Sequence, residues 1–188
     1  HYSKGNFDLE IKFDFGWKEV VGNAYRADHD LKSHMKHSGE KFEIVDDGEK
    51  IVPHVIEPSF GMERTIYAIL LYSFKEGRER EWSWFKFPTR IAPYTLAIFP
   101  LVSKDGLPEK AREIYLELKK SFDVFYDESG SIGKRYARAD EIGVPYCVTV
   151  DYQTLKDSTV TIRNRDDCSQ KRVKISQLKG IVQELMKS

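Results

Sequence analysis

A chain of 188 residues is long enough to bury a real core, as one large domain or two small ones, and its 40% hydrophobic content excludes a disordered chain. Its 30 basic and 30 acidic side chains cancel, so affinity for nucleic acid would have to come from a local basic patch rather than from overall charge. No apolar run reaches membrane-spanning length, nothing resembles a secretory signal, and two cysteines are too few for a disulfide framework or a four-cysteine zinc site, which predicts reduced thiols in the cytoplasm.

The chain opens on His1 without an initiator methionine, and its first residues read like the middle of a domain, so a piece of a longer protein is expected. Residues 7–21 alternate apolar and polar positions through Phe7, Leu9, Ile11 and Phe13, with Phe15-Gly16-Trp17 as a turn, predicting an antiparallel hairpin. In its second strand the period of two puts Glu19 on the face of Trp17 and Val21, where a carboxylate needs a partner or a ligand. The next stretch, NAYRADHDLKSHMKHSG, predicts a short helix capped by Asp28 or Asp30 and ended by Gly39. His29, His34 and His37 lack the spacing of a helical zinc site, and no metal site is expected. Residues 41–50, with Asp46-Asp47-Gly48, form a turn between short strands.

Residues 53–74, PHVIEPSFGMERTIYAILLYSF, predict a strand that feeds a buried helix through a glycine turn. Extended geometry continued through Pro58 places Glu57 and Ser59 on one face. Gly61 permits a turn or a close approach, and Arg64 presents a fork of donors suited to phosphate or carboxylate. The alternative is an ion pair between a carboxylate and the arginine that caps the helix. Residues 75–80 read as a charged loop and 82–88 as an aromatic extended segment, with Pro88 and Pro93 bracketing a boundary between residues 1–90 and 91–188.

From Tyr94 onward strands alternate with helices: strands near 96–102, 123–126, 146–151, 160–163 and 173–175, helices near 108–121, 131–142 and 176–186. This predicts an α/β unit with mostly parallel strands. Lys134 and Arg138 share a helix face with Arg135 alongside, Ser129-Gly130-Ser131 offers backbone donors at the helix start, and Arg163 and Arg165 add charge. The group is either a basic surface for nucleic acid or a solvated face balanced by Asp127, Glu128, Asp140 and Glu141.

Three strings carry a family resemblance: VIEPSFG followed by Arg64, GWKEVVGNAYR at 16–26, and DESGSIGKRYARADEIGVPY at 127–146. The first resembles the third signature motif of class II aminoacyl-tRNA synthetases, and together they resemble glycyl-tRNA synthetases over essentially the whole chain. The resemblance implies the end of an antiparallel-sheet catalytic domain in 1–90 and an α/β anticodon-binding domain in 91–188. It implies an ATP-dependent ligase that activates glycine and transfers it to its tRNA, working as a homodimer with ATP and Mg2+ as a substrate complex. Arg64 and Glu19 are then the catalytic residues, Glu19, Val20, Gly61 and Arg64 the ATP contacts, and Glu57 and Ser59 the glycine contacts. Lys134, Arg135, Arg138, Arg163 and Arg165 are the expected tRNA contacts.

Glu63 stands where relatives carry glycine or aspartate, and Gly5 and His29 stand where they often carry an acidic and an aromatic residue. Nothing here resembles the first or second class II motif, so the 188 residues alone are expected to lack aminoacylation activity. A non-catalytic, synthetase-like nucleic-acid-binding or polymerase accessory protein is the other reading.

Overall fold

The computed structural model describes residues 4–77 and 80–187, which leaves Arg78 and Glu79 of the charged loop outside. The chain divides into two compact units, His1–Tyr72 and Ser73–Ser188.

In the first unit, β1 (Gly5–Phe13) and β2 (Gly16–Ala27) form the expected hairpin. Helix α1 (His29–Ser38) ends at Gly39, whose φ of 76° suits a residue without a Cβ and whose N–H reaches the Met35 carbonyl at 3.0 Å. A small hairpin of β3 (Ile44–Asp46) and β4 (Glu49–Ile51) turns at Asp47-Gly48. Strand β5 (Val55–Phe60) pairs with the free side of β2, giving the sheet order β1-β2-β5. Its edge position explains why Pro58 does not break it, since an edge strand can lack one ladder donor. Helix α2 (Met62–Ser73) begins three residues before the apolar run, with Glu63 in its first turn, where a negative charge is favourable. Phe13, Val20 and Ala68 form a small core, flanked by Ile11 and Val21.

The second unit opens with β6 (Phe74–Lys75), paired with β7 (Trp84–Phe85). A single 3-10 turn (Thr89–Ile91) follows. Next come β8 (Leu96–Pro100), α3 (Leu107–Leu118), β9 (Val124–Tyr126), α4 (Ile132–Glu141) and β10 (Tyr146–Val150). The unit closes with α5 (Tyr152–Asp157), β11 (Thr159–Asn164), β12 (Gln170–Lys174) and α6 (Ile175–Leu185). The five strands lie in the order β12-β11-β10-β8-β9. Strand β8 runs parallel to β9 and β10, whereas β10–β11 and β11–β12 are antiparallel. The sheet is therefore mixed, and the reason is length: a parallel crossover needs a dozen or more residues, and connections 151–158 and 165–169 are shorter.

Successive residues of β8 enter different cores. Leu96 and Ile98 pack with Leu107, Ile114, Leu178 and Val182, whereas Ala97 and Phe99 pack with Ala139, Val144 and Cys147. Helices thus cover both faces, which is why β8 reads as an unbroken apolar run. Helix α5 was not legible in the apolar pattern. It is set by a capping box in which the Asp151 carboxylate accepts the Thr154 N–H at 3.0 Å and the Thr154 hydroxyl accepts the Asp151 N–H at 3.0 Å.

Candidate functional site

Two bulges in β2 shape one face of the first sheet. The ladder with β1 passes from Leu9↔Val21 to Glu10↔Glu19, so that Val20 is an extra residue on β2 there, and the ladder with β5 passes from Tyr25↔Ile56 to Ala27↔Val55, so that Arg26 is the extra residue at the second bulge. A bulge re-aims the side chains beside it. Val20 turns into the core at 3% exposure, and Glu19 leaves the face of Val21. The expectation of Glu19 among inward apolar neighbours is therefore corrected: it is exposed, and it lies on the polar face with Gly22.

Between the bulges, Gly22 pairs with Asp8 on one side and Ser59 on the other, and Ala24 pairs with Asn6 and Glu57. Side chains of directly paired residues share a face. Two small residues of β2, Gly22 and Ala24, thus form the floor of a trough whose walls are Asn6 and Asp8 from β1 and Glu57 and Ser59 from β5. Glu57 and Ser59 lie on one face, as their spacing predicted. At one end Arg26 donates to Asp30, Nη2 to Oδ1 at 2.7 Å, and its Nε lies 3.3 Å from Glu57 Oε2. The Arg26 guanidinium holds the Asp30 carboxyl below the usual range.

At the other end Arg64 and Gly61 secure the first bulge. Arg64 Nη1 donates to the Glu19 carbonyl at 2.7 Å, and the Gly61 N–H donates to the Val20 carbonyl at 2.8 Å. The two carbonyls that the bulge exposes are satisfied from the turn that starts α2, and this fixes the exposed Arg64 guanidinium beside Glu19. The structure therefore brings Glu19, Val20, Ser59, Gly61 and Arg64 together, with Glu57 one pair further along the trough. Asp8 and Arg26 escaped the sequence reading because their neighbours are set by strand register, which no local spacing reveals.

The basic residues of the second unit separate by burial. Arg135 is 1% exposed, and its guanidinium donates to the carbonyls of Pro100, Glu128, Ser129 and Gly130 and to the Ser103 hydroxyl. Arg163 is 4% exposed and makes a two-pronged pair with fully buried Asp140, at 2.9 and 3.0 Å. Asp140 also accepts from Arg80 at 3.0 Å and from the Trp82 indole at 3.2 Å. Arg165, 3% exposed, donates to the carbonyls of Gly143 and Phe87. Placing Arg135, Arg163 and Arg165 on an RNA-facing surface is corrected on this geometry: a phosphate reaches them only by displacing these partners.

Lys134 is exposed, and Arg138 keeps 39% of its side chain exposed while pairing with Asp127. Both flank the loop 127–131 ahead of α4. There the Ser129 N–H is taken by Asp127 at 2.8 Å, and Ser131 caps the helix by accepting the Lys134 N–H at 3.4 Å. Among the described residues, no helix is long and apolar enough to cross a membrane.

Residues 95–185 match the family model of the anticodon binding domain. The chain is similar to the C-terminal part of glycine–tRNA ligases. It is 49% identical over 193 residues to the glycine–tRNA ligase of Clostridium acetobutylicum, an alignment covering 99% of this chain and 41% of the relative. The enzyme of Bacillus anthracis is 46% identical over 188 residues, covering 98% and 41%, and that of Borrelia garinii is 47% identical over 185 residues, covering 95% and 42%. The chain thus spans about two fifths of the length of the curated relatives it matches. The anticodon-binding match begins just before β8 and takes in the whole five-stranded sheet and helix α4, which carries Lys134 and Arg138.

Proposed function

We propose that residues 1–90 supply the glycine- and ATP-handling end of a glycine–tRNA ligase and residues 91–188 its anticodon-binding part. The observation that carries this reading is the trough over Gly22, where Glu19 and Ser59 converge beside Glu57 and Arg64. The reaction is an in-line displacement. A glycine carboxylate oxygen bonds to the α-phosphorus of ATP, pyrophosphate leaves with the electrons of the broken P–O bond, and a ribose hydroxyl of the tRNA end later takes the glycyl group and releases AMP. Protein groups contribute position and charge.

Arg64 faces the phosphates, its guanidinium held in place by the Glu19 carbonyl, with Val20 and Gly61 lending the turn beside the nucleotide. Glu19 contacts the nucleotide or the Mg2+ it carries. Glu57 and Ser59 receive the glycine ammonium by charge-assisted hydrogen bonds, and a trough crowded by these groups leaves no room for a larger amino-acid side chain. Lys134 and Arg138 contact the unpaired anticodon loop, where base edges are accessible. Arg135, Arg163 and Arg165 support that surface from inside. The setting is cytoplasmic and the assembly a homodimer.

The test is glycine-dependent exchange of pyrophosphate into ATP by the full-length gene product. Exchange is expected, and Glu57→Gln should raise the KM for glycine by roughly tenfold or more, the loss of one charge-assisted bond. Absence of exchange in the unsubstituted protein overturns the reading.

A further inference from the structure

A glycine in a strand interior costs stability and needs a reason. Gly22 sits in the middle of β2, and it is not among the glycines with positive φ, so its backbone makes no demand for glycine. Its surroundings do. A Cβ on residue 22 would lie 3.0 Å from Glu19 Oε1, 3.2 Å from Ser59 Oγ and 3.6 Å from Asp8 Oδ1. The space a methyl group would fill is thus the point where polar side chains from β1, β2 and β5 meet. Gly22 leaves that point empty, and it is ringed by two carboxylates and a hydroxyl.

We propose that Gly22 and Asp8 are specificity-determining residues of the amino-acid site: Gly22 keeps the floor open for the ammonium of the amino acid, and Asp8 is a further acidic wall that receives it. This rests on the glycine-site reading above and extends it by giving Gly22 and Asp8 roles of their own in that site. The chemistry fits an ammonium, which has three donors and no acceptor, and oxygens from three segments surround the open point. Ser59 keeps its acceptor capacity because its own hydroxyl proton points to the Gly22 carbonyl, at 3.3 Å. A methyl on residue 22 would push Glu19 and Ser59 apart and occupy the position of the ammonium itself.

Gly22→Ala separates this role from a structural one. The atoms a Cβ would meet are the ends of exposed side chains rather than backbone, so the fold should accept the substitution. In the full-length gene product, Gly22→Ala is expected to leave the melting temperature nearly unchanged, while the KM for glycine rises by roughly tenfold or more and by more than the KM for ATP, which moves only through the displaced Glu19. Asp8→Asn, which keeps shape and removes charge, is expected to raise the KM for glycine by roughly tenfold with the KM for ATP unaltered. Direct titration of glycine by isothermal calorimetry gives a readout apart from turnover.

The proposal is overturned if Gly22→Ala keeps its glycine KM, or if melting temperature and both KM values fall apart together, the mark of a packing glycine. If Gly22→Ala does not fold, Asp8→Asn decides alone, and an unchanged glycine KM there overturns the assignment of Asp8 and the ring of oxygens with it. Failure of the unsubstituted protein to exchange pyrophosphate, or a Glu57→Gln variant with normal glycine KM, instead marks failure of the underlying reading.

Discussion

Phe60 and Phe99 both lie near the end of a strand, yet Phe60 is 72% exposed and Phe99 is 0% exposed. The contrast extends to their units. In the second, helices cover the sheet on both faces and the whole of β8 is buried. In the first, α2 covers only the end of the sheet around Phe13 and Val20, and Phe7, Leu9, Ile56 and Phe60 remain in solvent. Burial of apolar area is the main stabilising term, so the second unit should hold most of the chain's stability. The first unit's order rests instead on its ladders and on the bonds from Arg64 and Gly61 to the bulge.

The contrast can be broken most forcefully at Asp140. Asp140→Ala leaves Arg163 buried without a counter-charge and strips partners from Arg80 and Trp82, so a loss of about 3–5 kcal/mol is expected in urea unfolding of the second unit. A slightly smaller effect compares the units directly. Ile98→Ala should cost about 2–5 kcal/mol, whereas Ile56→Ala, at a side chain 72% exposed, should stay within about 0.5 kcal/mol. Equal losses at both positions would contradict the asymmetry.

A weaker lever is pH. Burial pushes the Asp151 carboxyl up, but the Arg172 guanidinium and the Thr154 bonds outweigh it and hold the carboxyl below its usual range. Its folded pKa is thus lower than its unfolded value of about 3.9. Its contribution is complete above that value and is lost as pH falls through the folded pKa. Asp151→Asn should therefore flatten the acid limb of the second unit's stability curve and lower stability at pH 7. The smallest effect concerns the thiols. Burial pushes Cys147 up to about 12, whereas Cys168 is exposed, so iodoacetamide at pH 8 should label Cys168 alone in the folded chain.

Element types were readable where hydrophobic period and caps agreed, as in β8 and in α4 behind Ser131. What the sequence did not show was set by register and by three-dimensional pairing. The bulge at Val20 reverses the face of Glu19, and nothing in the local alternation of Trp17, Glu19 and Val21 announces it. Arg135, Arg163 and Arg165 look like a basic surface in one dimension because arginine is a surface residue by habit. Their burial depends on Asp140 and on loop carbonyls distant in sequence. The motif strings located the trough, but its floor at Gly22 and its wall at Asp8 emerged only when three strands were aligned.

The most direct test of the account is whether the exposed pair, and not the buried arginines, touches RNA. Binding of the chain to glycine tRNA and to a non-cognate tRNA should be measured across a salt series, for the unsubstituted chain and for a Lys134→Ala, Arg138→Ala double variant. The account predicts tighter binding of glycine tRNA, loss of that preference in the double variant without a change in fold, and a salt slope lowered by about 0.7 for each contact removed. A double variant that keeps both its preference and its salt slope would contradict it.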